Sequence, residues 1–84
     1  MDVDRMAWRF AIFVLNDRMD KALSRKEYGD RAGVSPATVA RVENCRGLPS
    51  TYTTALLCQE LGKSPNEVLG WDEKKRTFEP GKLF

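Results

Sequence analysis

Residues 24–48, SRKEYGDRAGVSPATVARVENCRGL, decide the fold of this chain. Ser24 followed three residues later by Glu27 forms a capping-box pattern, which predicts that a helix begins at Arg25. The segment 32–36, Ala-Gly-Val-Ser-Pro, predicts the end of that helix at a glycine and the start of a second helix, with Ser as its cap and Pro at its first position. So short a connection predicts the steep crossing of a helix-turn-helix.

The second predicted helix has one inward and one outward face. The apolar residues of the two helices that point into a shared wedge are Tyr28, Ala32, Val34, Val39 and Val42. At 100° per residue, Ala37, Arg41 and Asn44 lie on the opposite side, flanked by Thr38 and Ala40. A small face with one guanidinium suits a DNA major groove, where Arg bonds guanine and small side chains touch the thymine methyl. The alternative is an ordinary solvent-facing side of a small helical domain.

Length and charge limit the possibilities. Eighty-four residues make one domain that can bury a single helical core. The net charge of +2 is weak evidence for a polyanionic partner, so the distribution of charge matters more. Between residues 24 and 49 there are five cations and three anions, and we expect Arg25, Arg41 and Arg46 to share one face.

The composition argues against an enzyme or a metalloprotein. There is no His, and the two cysteines lack the spacing of metal ligands, so no metal, cofactor or small-molecule ligand is expected. We predict reduced thiols, with Cys58 in the core and Cys45 in a turn. No nucleophile has a nearby base, and no glycine-rich loop could cradle a phosphate. We therefore predict that the protein is not an enzyme.

The N-terminal apolar run raises the question of a membrane segment. Met6 to Leu15 is interrupted by Arg9 and followed by Asn16-Asp17-Arg18, so it is too short to span a bilayer. It also lacks the basic start and cleavage site of a signal peptide. The expected location is the cytoplasm.

This first helix, predicted to extend through Met19, carries two apolar stripes on opposite sides. One consists of Met6, Phe10, Phe13 and Val14, and the other of Trp8, Ile12, Leu15 and Met19. An amphipathic helix normally has one apolar face, so one stripe should cover the helix-turn-helix and the other needs a partner. That partner is either the C-terminal tail or a second protomer.

Two more helices and a tail follow the turn at residues 44–49. Ser50 should cap a helix over 51–61, whose predicted inward residues are Thr54, Leu57, Cys58 and Leu61. Ser64-Pro65-Asn66-Glu67 predicts a short final helix that Gly70 ends. From Trp71 a charged run leads into an extended segment, 77–84, with three large apolar residues, Phe78, Leu83 and Phe84.

The segments LSRKEYGDRAGVSPATVARVENCRGLPS (23–50) and LGKSPNEVLG (61–70) are similar to the Cro and phage-repressor (XRE-type) helix-turn-helix family. The resemblance implies an all-α fold, a compact five-helix lambda-repressor-like domain over residues 1–70 with its helix-turn-helix unit at 24–44. Residues 71–84 would be a short extended tail for dimerisation or for covering the core. The family usually binds double-stranded DNA as a dimer on a palindromic operator.

The resemblance also implies which residues touch DNA. The implied base contacts are Arg25, Ser35, Ala37, Thr38 and Arg41. The implied phosphate contacts are Ser24, Asn44, Arg46, Ser50 and Tyr52.

The resemblance further implies a buried pair of Arg18 with Glu43. Two residues depart from the family. Gly29 stands where Ala is usual, which costs about 1 kcal/mol of helix propensity. Lys63 stands where an apolar residue is usual. The usual family spacing places Asp17 in the core. A link between the first and second helices that is longer by two residues would place Trp8, Ile12 and Leu15 in the core instead.

Two classes of function follow from these observations. The first is a sequence-specific DNA-binding transcription regulator, most simply a repressor that blocks a promoter as a homodimer. Its interface would use the second stripe of the first helix, the tail or both, unless the tail folds back and completes the core of a monomer. The other class is an antitoxin-like or adaptor module whose first helix and tail hold another protein. Recovery of partners from lysate with and without nuclease separates the two classes.

Overall fold

The computed structural model describes residues 3–81. Five helices are followed by two short antiparallel strands that pair Trp71 with Phe78. The elements are α1 (Val3–Asp20), α2 (Arg25–Ala32), α3 (Pro36–Glu43), α4 (Thr51–Leu61), α5 (Pro65–Leu69), β1 (Trp71–Asp72) and β2 (Thr77–Phe78). The predicted all-α, five-helix fold is confirmed, with a small hairpin added to it.

Serine caps fix the starts of the four helices that follow α1. In each, the serine Oγ accepts a hydrogen bond from the backbone N–H three residues later, at Ser24, Ser35, Ser50 and Ser64. At α2 the bond is reciprocal, because the Ser24 N–H donates to Glu27 Oε1 at 2.9 Å. The backbone and hydroxyl of Ser24 lower the pKa of Glu27. These bonds satisfy N–H groups that have no partner within the helix.

The core lies between α1 and the helices α3, α4 and α5, and α2 packs against α3 and α4. Its largest fully buried side chains are Tyr28, Phe10, Leu57, Val14, Val39 and Val68. The wedge predicted between the two central helices is present, since Tyr28 and Val39 are completely buried and Val42 nearly so. Cys58 is buried in this core and Cys45 is exposed in the turn after α3, as predicted.

One stripe of α1 belongs to the core and the other does not. Met6, Phe10, Phe13 and Val14 are buried, whereas the second stripe is half-buried at Ile12 and Leu15 and exposed at Trp8 (45%) and Met19 (64%). The alternative spacing that places Trp8, Ile12 and Leu15 in the core is therefore wrong. Although α1 carries this second apolar stripe, no helix within residues 3–81 has the length and hydropathy that a bilayer crossing requires.

Asp17 explains why the usual family spacing is tolerated. Its Oδ2 accepts hydrogen bonds from the Tyr28 hydroxyl at 2.8 Å and from Lys21 Nζ at 2.7 Å. A half-buried carboxylate with two donors does not suffer the penalty of an unsatisfied polar group. Burial, followed by the bond to Asp17, raises the pKa of Tyr28.

Phe13 lies between two cations at the edge of the core. The guanidinium of Arg9 is 5.4 Å from the ring centroid, and Lys63 Nζ is 5.9 Å from it. Arg9 is buried and donates to the Glu67 carbonyl at 2.8 Å, and burial lowers its pKa. Lys63 stays exposed and pairs with Glu67 at 3.1 Å, so this departure from the family buries no charge.

The tail from Trp71 folds back on itself as a hairpin. The rings of Trp71 and Phe78 meet edge to face with centroids 4.9 Å apart, and the Glu79 N–H donates to the Gly70 carbonyl at 2.7 Å. The predicted extended segment thus supplies β2, and its Phe78 is half-buried. Leu83 and Phe84, which also entered that prediction, lie outside the described residues.

Gly29 allows an unusually close approach of α2 to the following turn. A Cβ at this position would lie 2.5 Å from the Val34 carbonyl oxygen. We expect Gly29→Ala to lower the thermal midpoint, because such overpacking costs about 1–3 kcal/mol and outweighs the gain of about 1 kcal/mol in helix propensity. Asn16→Ala, at an exposed position of α1, should not lower the midpoint. A Gly29→Ala midpoint at or above the wild-type value would contradict this packing.

Gly33 ends α2 with a φ of 89°, in the left-handed region predicted for the turn. A Cβ there would approach Leu56 no closer than 3.9 Å, so conformation rather than crowding limits this position. We expect Gly33→Val to lose at least about 1 kcal/mol of unfolding free energy, and Gly33→Asn, which tolerates positive φ, to lose less. Denaturant titration measures both, and equal losses would contradict the conformational explanation.

Candidate nucleic-acid interface

α3 is fixed between its cap and the core. Ser35 Oγ accepts from the Thr38 N–H at 3.1 Å and Pro36 occupies the first turn. Val39 and Val42 are buried, so the opposite side of the helix faces solvent. On that side Ala37, Arg41 and Asn44 are exposed, while Thr38 is half-buried, in agreement with the predicted outward face.

A groove separates α3 from the start of α4. We call it the α3–α4 groove, and its polar lining consists of Thr38, Arg41, Arg46, Ser50 and Thr53. Four of these five residues were predicted from the sequence as DNA contacts. Thr53 was not, although its N–H donates to Ser50 Oγ at 3.2 Å and the spacing from the cap could have indicated it. Arg41, Asn44 and Arg46 also line a shallow depression beside the groove.

The arginines of the described chain differ in whether a carboxylate pairs with them. Arg18, Arg25, Arg31 and Arg76 each lie within 3.6 Å of a glutamate oxygen. Within residues 3–81 no carboxylate pairs with Arg41 or Arg46. Two guanidiniums that share one groove without counterions repel each other, and a polyanion would relieve that repulsion.

Glu43, at the end of α3, holds two arginines from other helices. Its side chain is only 2% exposed, and it accepts from Arg18 Nε at 2.7 Å, Arg18 Nη2 at 3.0 Å and Arg25 Nε at 3.1 Å. The implied Arg18–Glu43 pair is thus present, and the hydrogen bond raises the pKa of Arg18. Arg25, which no sequence pattern links to this pair, joins it, and its half-exposed side chain lies beside the end of α3.

Comparison with known proteins identifies this arrangement. A protein-family model described as helix-turn-helix matches residues 16–68 of the sequence. The chain belongs to the XRE-type helix-turn-helix family. It is also similar to the crystal structure of the clp gene regulator ClgR from C. glutamicum, with a TM-score of 0.61, 26% identity, and coverage of 76% of this chain and 83% of that one. No curated protein matches.

Membership of the XRE-type family, together with the likeness to ClgR, makes this a DNA-binding domain of transcriptional regulation. Its α2 and α3 form the helix-turn-helix unit. Within residues 3–81, no group of three or more cysteine, aspartate or glutamate side chains is placed to hold a metal ion.

Three of the predicted contacts of this XRE-type domain also cap helices. Ser24, Ser35 and Ser50 use their hydroxyls to start α2, α3 and α4. Tyr52, in the first turn of α4, is 75% exposed. A capping serine keeps its position through a local bond, so a DNA contact at such a residue requires no rearrangement of the helix start.

Proposed function

We propose that this XRE-type protein is a sequence-specific repressor that binds double-stranded DNA with α3 in the major groove. The observation that carries the proposal is the α3–α4 groove, where Arg41 and Arg46 have no carboxylate partner within residues 3–81. Phosphates supply the missing negative charge, and guanine supplies two acceptors for one guanidinium. In this proposal residues 1–70 are the DNA-binding unit and residues 71–84 its tail.

The proposed contacts divide into two sets by position. The set that contacts bases consists of Arg25, Ser35, Ala37, Thr38 and Arg41. The set that contacts phosphates consists of Ser24, Asn44, Arg46, Ser50 and Tyr52. Phosphate contacts set the register of the domain and base contacts give the sequence preference. The exposure of α3 at Ala37 and Arg41 supports the first assignment, and the turn position of Arg46 supports the second.

The proposed mode of regulation is occlusion of a promoter by two copies on a palindrome. One helix-turn-helix contacts too few base pairs to select a site in a genome, whereas two copies one helical turn apart multiply the specificity. The likeness to ClgR, a protein described as a clp gene regulator, supports a regulatory role.

Selection of duplexes from a random library by the full-length chain tests this function. We expect enrichment of one sequence with two-fold symmetry, and genome-wide mapping should place that sequence at promoters whose transcripts rise when the gene is deleted. A chain that enriches no sequence above the input library would contradict specific binding. Transcripts that fall on deletion would contradict repression.

A further inference from the structure

The exposed face of α3 has few side chains that can make two hydrogen bonds to one base. Pro36 and Ala37, in its first turn, are apolar, and the Thr38 hydroxyl lies 2.9 Å from the hydroxyl of the capping serine. Asn44 is assigned to a phosphate in the proposed function. Arg41 is then the one bidentate donor that α3 offers, and one such contact identifies one base pair. A second bidentate contact in the same half-site has to come from outside α3.

Arg25, in the first turn of α2, is held at one nitrogen and open at the other two. Its Nε donates to Glu43 Oε1 at 3.1 Å. Across residues 3–81 its two Nη groups have no hydrogen-bond partner, and the side chain is 42% exposed. The bond at Nε leaves the outer edge of the guanidinium, with its two parallel N–H groups, open to solvent. These donors match O6 and N7 of guanine.

Glu43 is itself held in place by Arg18. Its side chain is 2% exposed, and its two oxygens accept from Arg18 Nε at 2.7 Å and from Arg18 Nη2 at 3.0 Å. Arg18 Nη1 in turn donates to the Leu23 carbonyl at 3.0 Å, in the link before α2. This chain of bonds joins α1, α3 and the start of α2. A side chain that is held in this way loses less conformational freedom when it binds.

The cluster of Arg18, Arg25 and Glu43 has a surplus positive charge. One carboxylate faces two guanidiniums, and among residues 3–81 no other acidic side chain pairs with either arginine. A neutral pair would have no net attraction for DNA. The surplus charge, next to the open edge of Arg25, attracts a polyanion to the same place.

We propose that Glu43 positions Arg25 as a second base-reading side chain, which contacts a guanine other than the one that Arg41 contacts. The inference rests on the proposed function and adds to it a role for a carboxylate that touches no DNA. Glu43 is the last residue of α3, so the guanidinium that it holds lies at the edge of α3 that faces α2. The carboxylate fixes the direction of the Arg25 side chain, and Arg25 makes the contact.

The test uses the full-length chain, a duplex that it enriches from a random library, and all single-base variants of that duplex. Arg25→Ala identifies the base pair, because the preference there, about 5- to 150-fold for one bidentate contact, should fall to within about twofold. Arg25→Lys keeps the charge but has no planar fork. It should lose the same preference, while the slope of log affinity against log salt stays unchanged.

Glu43 is removed in a folded protein by combining Arg18→Met with Glu43→Leu, which replaces the buried pair with apolar side chains and leaves the net charge unchanged. The preference at the Arg25 base pair should then fall to within about twofold, whereas the preference at the Arg41 base pair should stay within about twofold of wild type. Adding Arg25→Ala should change no base preference further, because all three substitutions act on one contact. Circular dichroism at the assay temperature confirms folding.

Arg31→Lys is the matched control. Arg31 is also an arginine of α2, and its Nε lies 3.0 Å from a glutamate, Glu60, whose side chain is only 9% exposed. It should alter no base preference, and a changed preference in this variant would overturn the assignment to Arg25.

The other outcomes separate the inference from the function on which it rests. Failure to enrich any duplex would overturn the proposed function. Enrichment with an unaltered preference in Arg25→Lys, or with equal weakening of all duplexes in Arg25→Ala, would overturn only the inference. The variant without Glu43 would overturn the positioning role if it kept the preference at the Arg25 base pair, or if it also lost the preference at the Arg41 base pair.

Discussion

Glu43→Ala should destabilise this domain by about 3 kcal/mol, near the lower end of what breaking a buried ion pair costs. The carboxylate is 2% exposed and accepts three hydrogen bonds, two from Arg18 and one from Arg25. Its removal leaves Arg18, whose side chain is only 18% exposed, without its anion. The loss is large compared with the total stability of a small domain, about 5–15 kcal/mol. Denaturant titration should show it as a lower midpoint.

Two further variants distinguish the buried pair from the exposed one. Arg25→Ala should cost at most about 1 kcal/mol, because this side chain is 42% exposed and its ion pair is screened by solvent. Arg18→Met combined with Glu43→Leu should recover most of the loss, since apolar replacement of a whole buried pair is often neutral. Glu43→Ala as stable as the wild type would contradict the role given to this carboxylate.

Arg41→Ala should weaken binding to the selected duplex by about 1–3 kcal/mol, or about 5- to 150-fold, and relax the preference at one base pair. Arg41 is the long cation on the exposed face of α3, where neighbouring Ala37 and Thr38 are small. In the proposed function only this side chain of α3 can donate two parallel hydrogen bonds to a guanine. Binding to a panel of single-base variants of the duplex measures the loss and its position.

Arg46→Ala provides the comparison, because it removes the same charge from the turn after α3. A phosphate contact has no sequence information, so all duplexes should be weakened alike and the slope of log affinity against log salt should fall by about 0.9. Arg76→Ala, in the exposed turn of the hairpin, should change neither quantity. A base preference that is unaltered in Arg41→Ala would contradict the assignment of α3 to the major groove.

The helix boundaries of this protein were predictable because their signals are local. Ser24, Gly33 and Ser35 each act through bonds or dihedral angles within three or four residues, and all three are placed as the sequence indicated. The family resemblance added the Arg18–Glu43 pair, which no local pattern contains. The outward face of α3 was predictable because Val39 and Val42, which are buried, mark its inward face. The helical period then determines which residues lie on the opposite side.

The features that the sequence did not settle depend on distant partners. Two apolar stripes on α1 look equivalent in a helical projection, and only packing against α3 and α5 selects the one with Phe10. The third member of the Glu43 cluster, Arg25, is 18 residues away, so no spacing rule identifies it. The need for glycine at position 29 arises from the Val34 carbonyl after the helix turns back. In the tail, β1 and β2 are two residues each, too short for a strand pattern.

In the proposed function, the serine caps constrain how the base preference of this protein can evolve. Ser24, Ser35 and Ser50 start the three helices around the α3–α4 groove, and loss of such a cap costs about 1 kcal/mol. A mutation at Ser35 that alters a DNA contact therefore also weakens the fold, unless the new residue is Thr, Asn or Asp. Asp would bring a negative charge toward the phosphates. Changes in base preference are therefore easiest at Ala37 and Arg41, whose side chains take no part in the helix starts, whereas the Thr38 hydroxyl is bonded to the capping Ser35 hydroxyl at 2.9 Å.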